Sequence, residues 1–184
     1  MGERTSDSAG RAPRIIIRFL FIAIVALAFD LVVKDLSFKR VADAPVDVSL
    51  YDEQGAAIIP MHEGVGVIPN VFSLRLVLNE GAVFGLGKGG RWVFVLISTI
   101  ATIVIAFMFA RSHRRAWLMH VGLALILSGA LGNMYDRMIF GVVRDMCWLL
   151  PDVQLPFGWA WPGGNTDVYP WIFNIADAAL KIHG

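Results

Sequence analysis

The chain reads as an all-α polytopic membrane protein that carries a small extracytoplasmic antiparallel β region. Three observations lead there. The composition is 57% hydrophobic and only 17% charged, too apolar for an ordinary soluble domain. Trp92 to Ala110 runs without a single charge, as does Ala116 to Tyr135, where His120 is the most polar group. Basic residues crowd two particular segments, Arg4–Arg18 and Arg111–Arg115, which a membrane topology explains.

Each element follows in chain order. Residues 1–13 are polar, with Ser, Gly and Pro, and read as a disordered cytoplasmic tail. The remainder, 14–184, is expected to form a single integral membrane domain. A first spanning helix is expected over about 15–34, apolar up to Val33 except for Arg18 and Asp30. Ala26-Leu27-Ala28, after a basic start and an apolar core, also has the form of a secretory cleavage site, although the apolar pattern continues past it. The outer β region is expected over about 46–80. There Val46-Asp47-Val48-Ser49-Leu50 and Phe72-Ser73-Leu74-Arg75-Leu76 alternate with the period of half-buried strands.

Helices over about 92–110 and 116–136 follow, joined by the basic loop Arg111-Ser112-His113-Arg114-Arg115. The positive-inside rule puts that loop and the N-terminus in the cytoplasm, so Asp35–Arg91 and everything after Arg137 lie outside. Residues 148–173, with Trp148, Phe157, Trp159, Trp161, Tyr169, Trp171 and Phe173, are expected along the headgroup interface. A partial fourth helix is expected over 171–184.

Several functions are excluded by composition. A net charge of +1 offers no basic stripe for nucleic acid. Cys147 alone forms neither an internal disulfide nor a multi-cysteine zinc site, and His62, His113, His120 and His183 show no ligand spacing. No metal is expected.

The chemistry points to two aspartates at the outer edge of predicted helices. Asp145 ends Gly141-Val142-Val143-Arg144-Asp145, and Asp177 ends Phe173-Asn174-Ile175-Ala176-Asp177. Carboxylates are costly near hydrocarbon, so two of them there mark a candidate site. Each also has a plainer reading: Asp145 beside Arg144 as a surface ion pair, and Asn174-x-x-Asp177 as a helix cap. Asp30 and Lys34, four apart on one helical face, suit an ion pair that anchors the first helix. A Ser–Lys pair using Lys34 would need a serine motif, and Ser37, Ser98 and Ser128 supply none. Asn133, Asp136 and Arg137 share a helical face, either as a polar clamp between helices or as ligands for a substrate backbone. Gly85-Leu86-Gly87-Lys88-Gly89-Gly90 has dinucleotide-fingerprint spacing, but the helix after it is a membrane span and no acid follows to hold a ribose.

Taken in order, Asp30-x-x-x-Lys34, Asn79-Glu80-Gly81-Ala82-Val83-Phe84-Gly85, Gly132-Asn133-x-x-Asp136-Arg137, Gly141-x-Val143-x-Asp145 and Phe173-Asn174-x-Ala176-Asp177 resemble bacterial lipoprotein signal peptidase, signal peptidase II. Met146 after the aspartate and Val83 in place of an alanine depart from that pattern, and the outer segment 35–70 is longer than expected. The resemblance implies a four-helix membrane bundle with a small outer sheet. It implies an aspartic endopeptidase, without metal or cofactor, of the bacterial cytoplasmic (inner) membrane with its active site on the outer face. Its substrates would be diacylglyceryl-modified prolipoproteins, cut just before the lipidated cysteine; membrane lipid is the other partner, and the assembly is a monomer. By the same implication Asp145 and Asp177 are the catalytic pair. Asn79, Gly81, Asn133, Arg137 and Asn174 support the site or hold substrate, and Asp30, Lys34 and Asp136 are structural polar contacts. Helix 172–184 would reach only about 20 Å at 1.5 Å per residue, short of a roughly 30 Å hydrocarbon core. A truncated, inactive membrane remnant or scaffold of the same family is therefore the alternative, whereas a small transporter would need polar residues at mid-bilayer.

Overall fold

The computed structural model describes residues 8–42, 44–48, 59–81 and 90–181. Four α-helices, α1 (Pro13–Arg40), α2 (Arg91–Arg111), α3 (Trp117–Phe140) and α4 (Ile175–Lys181), accompany four strands, β1 (Val65–Ile68), β2 (Phe72–Asn79), β3 (Val143–Leu149) and β4 (Ile172–Phe173). Three of the helices, α1, α2 and α3, are long and apolar enough to cross a membrane. Where the sequence reading placed one domain over 14–184, the chain divides into two compact units. The first comprises Met1–Val32, Glu80–Gly141 and Ile175–Gly184; the second comprises Val33–Asn79 and Val142–Asn174.

The helical unit is built around α3. More than half of its most apolar window (56%) is buried, against 17% for α1 and 11% for α2, so α3 is the inner helix. Phe19 and Ala23 of α1, Ile105 and Phe109 of α2, and Leu123, Ala124 and Leu127 of α3 form its core. Phe19 and Phe109 stack with centroids 3.9 Å apart and planes inclined by 17°. The opposite faces remain apolar yet open: Ile17, Phe21, Ile24 and Phe29 on α1, and Trp92, Ile100, Ile103 and Phe107 on α2. Such faces suit lipid tails rather than water.

The expected tail 1–13 is shorter than the composition suggests. Ala9–Arg11 forms a 3-10 turn, and the Ala9 amide donates to the Ser112 carbonyl at 2.9 Å. Gly10 has no side chain, and a Cβ there would lie 3.0 Å from the Ala110 backbone, so small residues let this segment dock on the end of α2. The contact brings the described part of the first basic segment, from Arg11, to the same end of the helical unit as Arg111–Arg115.

Helix α1 also outruns its expected span. Pro13 opens it, where a missing N–H costs nothing, and Lys39 and Arg40 close it, where cations favour the carbonyl end. Asp30 and Lys34 do not interrupt it because both are buried.

The second unit holds a four-stranded antiparallel sheet in the order β1-β2-β3-β4. The alternation over 72–76 becomes β2, but Val46–Val48 lies in no strand, and Ser49 and Leu50 fall outside the described residues. Strand β3 escaped the sequence reading because Val143 to Cys147 are all buried, which erases the polar–apolar alternation of a one-sided strand. Residues 172–173 are strand and not the start of the fourth helix, since Phe173 pairs with Cys147 and Ile172 with Trp148. The aromatic segment before them folds back on itself: Leu155 donates to Thr166, Val168 donates to Val153, and Trp161, Tyr169 and Trp171 meet edge to face. The glycine-rich stretch 85–89 lies outside the described residues.

Phe109→Ala should lower the melting temperature of the detergent-solubilised protein by an amount corresponding to up to about 3–5 kcal/mol, because a stacked buried ring is lost. Ile103→Ala, on the lipid-facing side, should leave it nearly unchanged.

Candidate functional site

Each unit assembles one of the two aspartates. In the sheet unit, Asp145 sits midway along β3 and is buried, with 1% exposure. Its position follows from an irregularity in the ladder. Leu74 pairs with Cys147 but Val77 pairs with Asp145, so β2 carries one extra residue between the two pairs. The bulge returns Val77 and Asn79 to the face on which Asp145 points, because Asn79 opposes Val143, two residues from Asp145 on the same side of β3. The Asn79 amide then donates to Asp145 Oδ2 at 3.1 Å.

The other oxygen is held from the next strand. Asn174 follows β4 directly and is fully buried; its Nδ2 donates to Asp145 Oδ1 at 2.7 Å. Two uncharged donors thus meet both carboxylate oxygens, and since a carboxylate only accepts, they orient both amides. Asn174 is therefore not simply the helix cap that its spacing suggested. Nor is Asp145 part of a surface ion pair, because Arg144 is itself buried. Lys34 belongs to this unit and is wholly buried.

In the helical unit, Asp177 occupies the first turn of α4, half-buried. Asn133 of α3 donates Nδ2 to Asp177 Oδ1 at 2.8 Å. The helix that carries Asp177 is capped from outside. Asp30 Oδ1, on α1, accepts the Ala176 amide at 3.0 Å, one of the N–H groups that the first turn of a helix leaves without an internal partner. Two glycines of α3 make room for this arrangement. A Cβ on Gly129 would lie 2.5 Å from the Ala176 carbonyl oxygen, and one on Gly132 would lie 2.5 Å from Asp30 Oδ2.

Asp136 is fully buried on α3. Arg137 lies over the Phe94 ring at 4.8 Å and reaches the Asn133 carbonyl at 3.5 Å. Gly81 is buried in the helical unit. Helix α3 ends at Gly141 in the left-handed region, with φ of 81°, and its N–H returns to the Arg137 carbonyl. That glycine turns the chain sharply from helix into β3.

Of the expected residues, Asn79, Asn174 and Asp145 therefore gather in one unit, and Asp30, Asn133 and Asp177 in the other. The roles of Gly129 and Gly132 as approach points were not read from the sequence. Their spacing of three, on a helix with small and polar residues, is the signal that would have found them. Asp30→Ala should free the Ala176 amide and destabilise α4 by about 1–3 kcal/mol. Faster hydrogen exchange at Ala176, with the α2–α3 core unaffected, would register it. Gly129→Val should be worse tolerated, since it displaces backbone and not a side chain.

Comparison with known proteins matches residues 22–183 to the model of the family described as Signal peptidase (SPase) II. The lipoprotein signal peptidase of Burkholderia thailandensis is 32% identical over 186 residues, covering 99% of this chain and 90% of that protein. The lipoprotein signal peptidase of Symbiobacterium thermophilum is 32% identical over 163 residues, covering 89% and 86%. That of Desulfitobacterium hafniense is 38% identical over 120 residues, covering 65% and 68%. A bacterial membrane enzyme solved at 1.9 Å resolution superposes with a TM-score of 0.63 at 26% identity, covering 91% of this chain and 87% of its own.

Proposed function

The chain belongs to the signal peptidase II family, and from that premise we propose that it is an aspartic endopeptidase of the bacterial inner membrane. It removes the signal peptide from diacylglyceryl-modified prolipoproteins by cutting just before the lipidated cysteine. Asp145 and Asp177 are the catalytic pair and work on the outer face. The observation that carries this reading is the Asn174–Asp177 junction. Asn174 holds Asp145, and three residues further along the chain Asp177 is held by Asn133.

The chemistry follows from how such carboxylates are treated. The asparagine amides hold the carboxylate oxygens in place for chemistry. Two carboxylates brought side by side do not both ionise comfortably, so in this mechanism the pair works with a single proton between them. The ionised member takes a proton from water, whose oxygen bonds to the scissile carbonyl carbon. The protonated member gives its hydrogen to the forming oxyanion. As the tetrahedral intermediate collapses, the carbon–nitrogen bond breaks and the cysteine nitrogen leaves with a proton from the pair.

The remaining residues support these steps. Asn79, Asn133 and Asn174 fix the carboxylate rotamers, Arg137 and the Gly81 turn meet the substrate backbone, and Asp30, Lys34 and Asp136 hold the framework. Signal helix and acyl chains stay in the bilayer, so binding energy from those remote parts positions the peptide bond. The chain is expected to act as a monomer.

The test is release of signal peptide from a diacylglyceryl-modified precursor in proteoliposomes. Asp145→Asn and Asp177→Asn should each lower the rate by about a hundredfold or more. The wild-type rate should pass through a bell-shaped pH optimum, because activity needs one proton on the pair and not two or none. Cleavage that survives both substitutions would remove the pair from the mechanism. A wild-type chain that never cleaves would favour a scaffold role.

A further inference from the structure

The sheet has a second working face. Ser73 and Trp148 oppose each other across β2 and β3, on the side away from Leu74, Cys147 and therefore Asp145. On that side lies a cavity of about 600 Å³ lined by His62, Glu63, Gly66, Ser73, Arg75, Trp148 and Asp152, with Asn70 at its rim. It shares no residue with the candidate catalytic groups.

Its walls are rigid for a surface feature. His62 accepts the Leu76 amide at Nε2, 2.9 Å away, so the ring proton sits on Nδ1, which donates to the Pro60 carbonyl at 2.8 Å. Arg75 is braced against Trp148, its guanidinium carbon 5.3 Å from the ring centroid. Gly66 opposes Ser73 and keeps the floor open: a Cβ there would meet nothing nearer than the Ser73 hydroxyl at 4.0 Å.

The charges in this space are arranged rather than paired. Among the described residues no ion pair joins Arg75 to Glu63 or Asp152, and the Lys39–Asp35 bridge involves none of the three. One guanidinium and two carboxylates face the same cavity. A simple anion would be repelled by two of the three, and a simple cation would leave Arg75 uncompensated. The complement is a small dipolar ligand: a phosphate oxygen for the Arg75 fork, and a primary ammonium for Glu63 and Asp152, with the Trp148 face beside it. We propose that this cavity binds the phosphoethanolamine headgroup of a membrane phospholipid. Three helices are long and apolar enough to cross a bilayer, and zwitterionic lipid headgroups carry a phosphate and an ammonium together.

The binding test uses the full chain in nanodiscs of phosphatidylcholine. Phosphatidylethanolamine should raise the melting temperature as its fraction rises, and phosphatidylglycerol should not, because it brings phosphate without ammonium. Soluble glycerophosphoethanolamine should compete, which separates headgroup recognition from an effect of the acyl chains. Arg75→Gln should weaken the apparent affinity about tenfold, the scale of one lost charge-assisted contact. Gly66→Leu should fill the cavity and abolish the response while the unliganded protein melts normally, since no atom stands in the way of the new side chain. Equal stabilisation by phosphatidylglycerol, or an unchanged response in both variants, would overturn the assignment. Peptidase activity does not enter the readout, so this result and the catalytic reading stand or fall separately.

Discussion

A carboxylate enclosed by protein in a low-dielectric environment has to find N–H groups to replace water, and that demand organises this molecule. Asp30, Asp145 and Asp177 lie on three different elements, and each is met by neutral donors: a backbone amide, two asparagines and one asparagine respectively. The donors in turn dictate the fold around them. Asn79 reaches Asp145 only because β2 is bulged, and Asn174 reaches it only because β4 pairs with β3. Asp30 reaches Ala176 only because α3 is bare at Gly129 and Gly132.

What was legible in the sequence follows from which forces act locally. Helices α2 and α3 show as uninterrupted apolar runs because lipid and core ask for the same side chains. The ordered polar motifs were legible too, since Asp, Asn and Arg have few bland uses beside a membrane. Strand β3 was not, because burial on both faces removes the alternation, and the two-residue β4 is too short to have a period. The docking of Ala9 on Ser112 depends on an absence of bulk, which composition reads as disorder. Asn174 has a use beyond the local one that its spacing suggested. An Asn before a helix has a local use as a cap, and only the sheet reveals the distant one.

The bulge in β2 has a further effect within the sheet unit. A regular ladder would give β2 one polar face and one buried face throughout. One extra residue between Leu74 and Val77 lets the strand send Ser73 and Arg75 to one side near its start and Asn79 to the Asp145 side at its end. One strand thereby serves Asp145 on one face and a separate cavity on the other. Neither depends on lengthening the chain.

Asp30 belongs to the first of the described long helices, and the amide it satisfies, 146 residues further along the chain, belongs to the last described helix. A seven-residue helix is too short to persist by itself. The segment bearing Asp177 therefore borrows its order from α1, and a change at Asp30 is felt at the far end of the described chain. Helix α4 is thus a tethered element, and the tether is a side chain remote in sequence.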